Sequence, residues 1–344
     1  MRIRRSLSRP TIDYCQAMAT DELVPHRLKD ISPKAYEHPA DRAATGALRA
    51  IPMLDTVVKR LIEFQYERAF RQGLLASSVK LGDDQLPDVW RAFQGVLATL
   101  DMPETYDLYL TQWPFANAAA IGAGKPMVVV NSSLISLLDD LEVRTVLAHE
   151  AGHILSEHTM YRTALLILLQ LGSAVRLPLL AGLPLLAVRA ALLEWFRAAE
   201  LSCDRASTLV NRDPLITCRT LMALAGGRES KKLNLDAFLR QASDYEDWEP
   251  GLDRIRRFFL ELQLTHSFPV RRVAEIQKWV RSGDYDRIVR GDYPKRGEEP
   301  DPRAHAGDAV DYYSDRFRTI FRETGENVAA AGERFSEWLR GGKS

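Results

Sequence analysis

The spacing of apolar positions divides the chain into blocks. Residues 1–50 hold no sustained period and read as an irregular arm with room for one short helix. Over 52–72, Leu54, Val57, Val58, Leu61, Ile62 and Phe64 fall in helical phase, and 85–100 reads as a second helix. Between 105 and 113 the period drops to two, with Tyr106, Leu108, Leu110 and Gln112 opposite Asp107, Tyr109 and Thr111, which predicts a strand. Two further strands, 117–121 and 126–131, flank the turn 122–125 and predict a hairpin. Ser132 and Ser133 can cap a short helix to 138. Asp139 with Glu142 forms an acidic capping box for a helix to about 155, striped by Leu141, Val143, Val146, Leu147, Ile154 and Leu155. Helical spacing returns over 192–210, bounded by Pro214, and again after 266–272 with Val273, Ile276 and Trp279 or Val280 in phase. A charged, Pro/Gly-rich linker at 290–308 precedes an amphipathic helix at 309–340, docked on the body or on a partner. The class expected is α+β, mostly helical, with a small antiparallel sheet beside the 139–155 helix.

The interval 164–196 is the most apolar. Arg176 divides it into two uncharged runs of 12 residues, 164–175 and 177–188, each short of the about 20 a membrane-spanning helix needs. Pro178 and Pro184 around Ala181-Gly182 suit a bent connection. Two readings follow: a buried hairpin roofing a site, or a hairpin dipping into a bilayer surface as a peripheral membrane contact.

Composition narrows the function. The 344 residues are 46% hydrophobic, and 46 Lys and Arg balance 46 Asp and Glu. A neutral chain lacks the basic excess that phosphate contacts demand, so no nucleic-acid partner is expected. Three cysteines cannot build a disulfide framework and suit a reducing compartment. Arg2, Arg4, Arg5 and Arg9 precede no apolar h-region, so no signal peptide is expected and the location reads as cytoplasmic, with the membrane contact above left open. GAGK at 122–125 lacks the full phosphate-loop spacing.

The chemistry concentrates in HEAGH, 149–153. Histidines at i and i+4 share a helix face, and their imidazoles can converge on one zinc ion. Glu150 is offset by about 100° and can reach the water rather than the metal. A catalytic zinc needs a third protein ligand and an open position. His158 is near, but Ser156 and Thr159 break the longer H-E-x-x-H-x-x-G-x-x-H pattern. Glu200 is the better candidate. It shares a helix face with Asp204, which can accept from the second nitrogen of a ligating histidine. Cys203 could be a soft ligand and reads more simply as a small buried thiol. His266 and Arg272 could stabilise an oxyanion near the metal.

Taken together, HEAGH at 149–153, ELSCD at 200–204 and HSFPVRR at 266–272 resemble the M48 family of zinc metallopeptidases, with its Ste24-type and HtpX-type members. The segment 117–134 is similar to that family's strand before the zinc helix, and the likeness covers about 105–280. One departure is that Pro269 stands three residues after His266, where the family often places proline directly after the histidine. The resemblance implies a zincin-like fold over 51–289, one Zn2+ per chain on His149, His153 and Glu200, and Glu150 as general base. It further implies Asp204 as support, His266 and Arg272 at the transition state, and Asn117 on the edge where a peptide adds as a strand. A zinc endopeptidase acting on protein or peptide substrates is the expected function. The alternatives are a non-catalytic metal-binding scaffold or a membrane-surface interaction protein on the same fold.

Overall fold

The computed structural model describes residues 26–49, 58, 66–122, 124–174, 183–247 and 268–298. The arm at 1–25, His266, most of the 290–308 linker and the 309–340 helix lie outside the described residues.

Helix α1 (Pro39–Arg49) follows a short 3-10 turn at Pro33–Ala35. Helix α2 (Tyr66–Ser77), strand β1 (Val79–Lys80) and helix α3 (Pro87–Thr99) come next. Strands β2 (Asp107–Thr111), β3 (Ala118–Ile121) and β4 (Met127–Asn131) precede α4 (Ser132–Leu137), α5 (Asp140–Leu155), α6 (Thr159–Ala174) and α7 (Leu183–Asn211). Then come α8 (Pro214–Gly226), α9 (Leu235–Asp247), α10 (Pro269–Arg281) and α11 (Asp284–Val289). The expected capping box is formed at α5: Asp139 Oδ1 accepts from the Glu142 N–H at 2.9 Å, and Glu142 Oε2 accepts from the Asp139 N–H at 3.0 Å. At α4 the capping position is Asn131 rather than Ser132 or Ser133, and no side chain caps it.

The sheet runs β1-β2-β4-β3. Residues 118–121 and 127–131 form the expected hairpin, Ala118 facing Val130. The sheet is mixed rather than antiparallel, because β2 lies parallel to β4, Leu108 beside Val128. The hairpin folds so that β4 inserts next to β2, which leaves β3 as the edge strand against α5. The period-two pattern of the strands reflects burial on both faces. Leu108, Val128, Val130, Ala118 and Ala120 join the main core with Phe93 and Val96 of α3. Tyr109, Met127 and Ile121 pack under Leu74 of α2.

Helix α5 is buried from Glu142 to Ile154 except at Arg144, while Leu141 is 39% exposed. A single apolar stripe underestimates it, because the sheet, α3 and α7 enclose it from several sides. The segment 26–49, expected as part of an irregular arm, contributes Leu28, Ile31 and Tyr36 to the main core and buries Ala43, Ala44, Ala47 and Leu48 in α1. Helix α1 lies on α7, where the Trp195 indole N–H donates to Thr45 Oγ1 at 2.8 Å. Among the described residues no helix is long and apolar enough to cross a membrane.

Candidate metal centre

Helix α5 supplies His149, Glu150 and His153, and α7 supplies Glu200, Cys203 and Asp204. Gly152 lets the two helices touch. A Cβ there would lie 3.0 Å from Ala206 Cβ and 3.4 Å from Cys203 Cα. The start of α5 is fixed from α8: Arg219 donates from Nη2 to Asp139 at 2.8 Å and from Nε to Glu142 at 3.1 Å.

The close approach brings three atoms able to ligate a metal together. Glu200 Oε1 lies 3.1 Å from His153 Nε2 and 3.5 Å from His149 Nε2. The other ring nitrogens point away to partners of their own. His149 Nδ1 lies 3.1 Å from Asp204 Oδ1, and His153 Nδ1 lies 3.2 Å from His158 Nδ1. Without a metal, an Nε2–H can donate to Glu200 Oε1; with their protons kept on Nδ1, both rings would offer Nε2 lone pairs to an ion shared with that oxygen. An N, N, O donor set of this kind fits a catalytic zinc with an open position. Cys203 also brings its Sγ within 4.8 Å of ligand atoms of both histidines. Its sulfur lies 3.7 Å from His158 Nδ1, and burial pushes its thiol pKa well up in the metal-free chain.

Arg272 from α10 closes the back of the site. Its Nε and Nη2 donate to Asp204 Oδ2 and Oδ1 at 2.7 and 2.5 Å, and its Nη1 lies 3.3 Å from Glu200 Oε2. Burial alone would raise the Asp204 pKa, but the Arg272 guanidinium holds it low. Burial likewise disfavours a charged His149, yet the Glu200 charge and the Asp204 hydrogen bond raise its pKa to about 9. For His153, burial and the Arg162 charge lower it to about 3, against the hydrogen bond of Glu200.

Glu150 has a holder of its own. Its Oε2 accepts from the Ala120 N–H of edge strand β3 and from Arg162 Nη1, both at 2.6 Å. Arg162 Nη2 also reaches the Ala118 carbonyl at 3.3 Å, and its guanidinium lies 5.1 Å from the Phe196 ring centroid. Burial would raise the Glu150 pKa, but Arg162 and the two histidines bring it to about 2.

A cleft of about 420 Å³ opens on these groups, lined by Asn117, Ala118, His149, Glu150, Glu200, Asp204, Leu221, Phe268 and Arg272 among others. Asn117 is exposed at its rim, with Oδ1 accepting from the Ala118 N–H at 2.9 Å. The structure thus brings together His149, Glu150, His153, Glu200, Asp204 and Arg272, with Asn117 at the edge, and His266 lies outside the described residues. Sequence reasoning missed Arg162, Gly152 and Asp41. A buried arginine in an apolar helix is a signal for Arg162, whereas nothing local marks Asp41.

The profile of peptidase family M48 matches residues 84–280. The chain is similar to the plastoglobule-localized metallopeptidase 48, chloroplastic, of Arabidopsis thaliana, at 37% identity over 287 residues, 82% of this chain and 81% of that protein. It is similar over a shorter stretch to a protease HtpX homolog of Tropheryma whipplei (strain Twist), at 30% identity over 83 residues, 24% of this chain and 28% of the relative. No solved structure matches the chain.

Proposed function

Since the chain belongs to peptidase family M48 and is thereby a metal-dependent protease acting on peptides or proteins, we propose that it is a zinc endopeptidase in which His149, His153 and Glu200 hold the metal and Glu150 is the general base. The observation that carries this reading is Glu200 Oε1 lying 3.1 and 3.5 Å from the two histidine Nε2 atoms. Bound there, zinc supplies the Lewis acidity that makes water nucleophilic near neutral pH.

The chain's own residues do the rest. Glu150 is held through Oε2 by Ala120 and Arg162, which leaves Oε1 to take a proton from water and return it to the leaving amine. Asp204 keeps the His149 proton on Nδ1, and Arg272 holds Asp204 in place. Arg272 and His266 are our candidates for stabilising the transition state. A substrate strand would add along β3 from Asn117, next to Glu150, in the manner of β-augmentation.

The test is zinc content by elemental analysis together with casein hydrolysis, on wild type, Glu200→Ala and Glu150→Gln. The expected result is about one zinc per chain in wild type and Glu150→Gln, zinc lost in Glu200→Ala, and hydrolysis in wild type alone. Zinc retained by wild type without hydrolysis of any protein substrate would favour the scaffold reading. Peripheral lipid contact through 164–196 is tested separately by liposome flotation, and a chain that stays at the bottom of the gradient removes it.

A further inference from the structure

His158 was weighed from the sequence as a metal ligand, and its position gives it different work. Helix α5 ends in a Schellman turn: the Glu157 N–H donates to the Ile154 carbonyl at 3.1 Å, and the His158 N–H donates to the His153 carbonyl at 2.9 Å. Glu157 takes a left-handed φ of 58° to close it. The reversal folds His158 back beneath His153, where the two Nδ1 atoms meet at 3.2 Å. On its other side, His158 Nε2 lies 3.2 Å from Asp41 Oδ2 of α1. Both side chains are buried, His158 to 5% and Asp41 to 1% exposure. Trp195 packs edge-on against the His158 ring at 5.6 Å.

Once His153 commits its Nε2 to a metal, one proton assignment pairs the ring nitrogens of this network. A His153 that presents its Nε2 lone pair toward Glu200 carries its proton on Nδ1. That proton is donated to His158 Nδ1. The His158 proton then sits on Nε2 and is donated to Asp41. Asp41 is fixed in turn by Ser202 Oγ at 2.5 Å and Thr45 Oγ1 at 3.1 Å. Ser202 Oγ accepts from the His38 N–H at 2.9 Å, and Thr45 Oγ1 accepts from Trp195. A buried network whose members are partnered in this way holds each ring rigidly.

We propose that His158 and Asp41 are positioning residues for the metal ligand His153, which makes helix α1 part of the metal centre. The inference rests on the reading of His153 as a ligand. It extends the site to Asp41, outside the 84–280 span matched by the family profile. It also gives the centre a symmetry of support: Asp204 with Arg272 behind His149, and His158 with Asp41 behind His153. Partners of this kind typically change metal affinity about 10–100-fold.

The experiment measures the zinc dissociation constant of the full chain by competition with a chromophoric chelator, with folding checked by circular dichroism. The variants are His158→Phe, His158→Gln and Asp41→Asn. Leu74→Ala in α2 is a control that lowers stability in the separate core on the other face of the sheet. His158→Phe is expected to weaken zinc binding about 10–100-fold. His158→Gln, whose amide oxygen can accept from His153, is expected to recover most of that loss, Asp41→Asn to fall between, and Leu74→Ala to bind as wild type. A histidine-labelled ¹⁵N spectrum of the zinc-loaded protein should show the Nε2–H tautomer for His158. Wild-type zinc affinity in a folded His158→Phe, or in a folded Asp41→Asn should His158→Phe fail to fold, overturns the proposal. Wild type that takes no zinc at all overturns the ligand reading itself, an outcome distinct from the first.

Discussion

A Cβ added at Gly152 would meet Ala206 Cβ at 3.0 Å, so the contact between α5 and α7 depends on the missing side chain. The distance from the histidines to Glu200 is set by that contact. Gly152→Val places two further carbons where none fit, and overpacking of this kind costs about 1–3 kcal/mol. The expected outcome is a lower unfolding midpoint in urea and weaker zinc binding in the same variant. A Gly152→Val protein that binds zinc as tightly as wild type would show that the helix spacing does not control the centre.

Arg162 and Glu150 form a buried ion pair at 2.6 Å, each side chain no more than 5% exposed. Removing one partner of such a pair leaves an uncompensated charge and costs about 3–5 kcal/mol. Arg162→Met is therefore expected to destabilise the metal-free protein strongly. Arg162→Met with Glu150→Gln should regain much of the loss, since the orphaned charge is gone. A double-mutant cycle by urea denaturation gives the coupling directly. Strict additivity of the two changes would mean that solvent, rather than Arg162, balances Glu150.

The local parts of this architecture were legible in the sequence, and the reason is physical. The Asp139–Glu142 box, the 118–131 hairpin and the HEAGH helix are each set by neighbours a few residues apart, so pattern and propensity suffice. That Glu200 and Asp204 come to lie beside the HEAGH histidines was legible from their shared helix face, and their roles there are the ones we propose. The rest depends on long-range packing. The parallel pairing of β2 with β4 follows from where the hairpin inserts, which alternation does not encode. Asp41 reaches His158 across 117 positions of chain, and Arg162 meets Glu150 only because α6 turns back over the edge strand. Asp41, buried by such a return, looks like an ordinary surface residue in the sequence.

Metal removal should register as stability. A ligand that binds only the folded state contributes about 2.7 kcal/mol at a free concentration 100 times its dissociation constant. Adding zinc at that ratio to the chelator-treated chain is expected to raise its unfolding free energy by about that amount, and to leave Glu200→Ala unmoved. Equal stabilisation of both proteins would locate the zinc somewhere other than His149, His153 and Glu200.

A second junction, between α1 and α10, carries a pH dependence whose sign follows from its hydrogen bonds. His38 Nδ1 accepts from the Ala40 N–H at 3.1 Å, and its Nε2 lies 3.2 Å from Glu275 Oε2. Protonating Nδ1 would remove the acceptor that Ala40 uses. Burial, aided by the Arg205 charge and opposed by Glu275, holds the His38 pKa below its ordinary 6.5. Because the folded value is depressed, the neutral ring contributes stability that is fully present above pH 6.5 and is lost as pH falls through the folded value. His38→Gln keeps a donor toward Glu275 and has no such titration. The difference in unfolding free energy between wild type and His38→Gln, measured on the metal-free chain from pH 8 to pH 5, is therefore expected to stay flat down to about 6.5 and then shift against wild type. A difference that stays level to pH 5, or moves in favour of wild type, would mean that the ring accepts its proton without losing Ala40 and that α1 is held by other contacts.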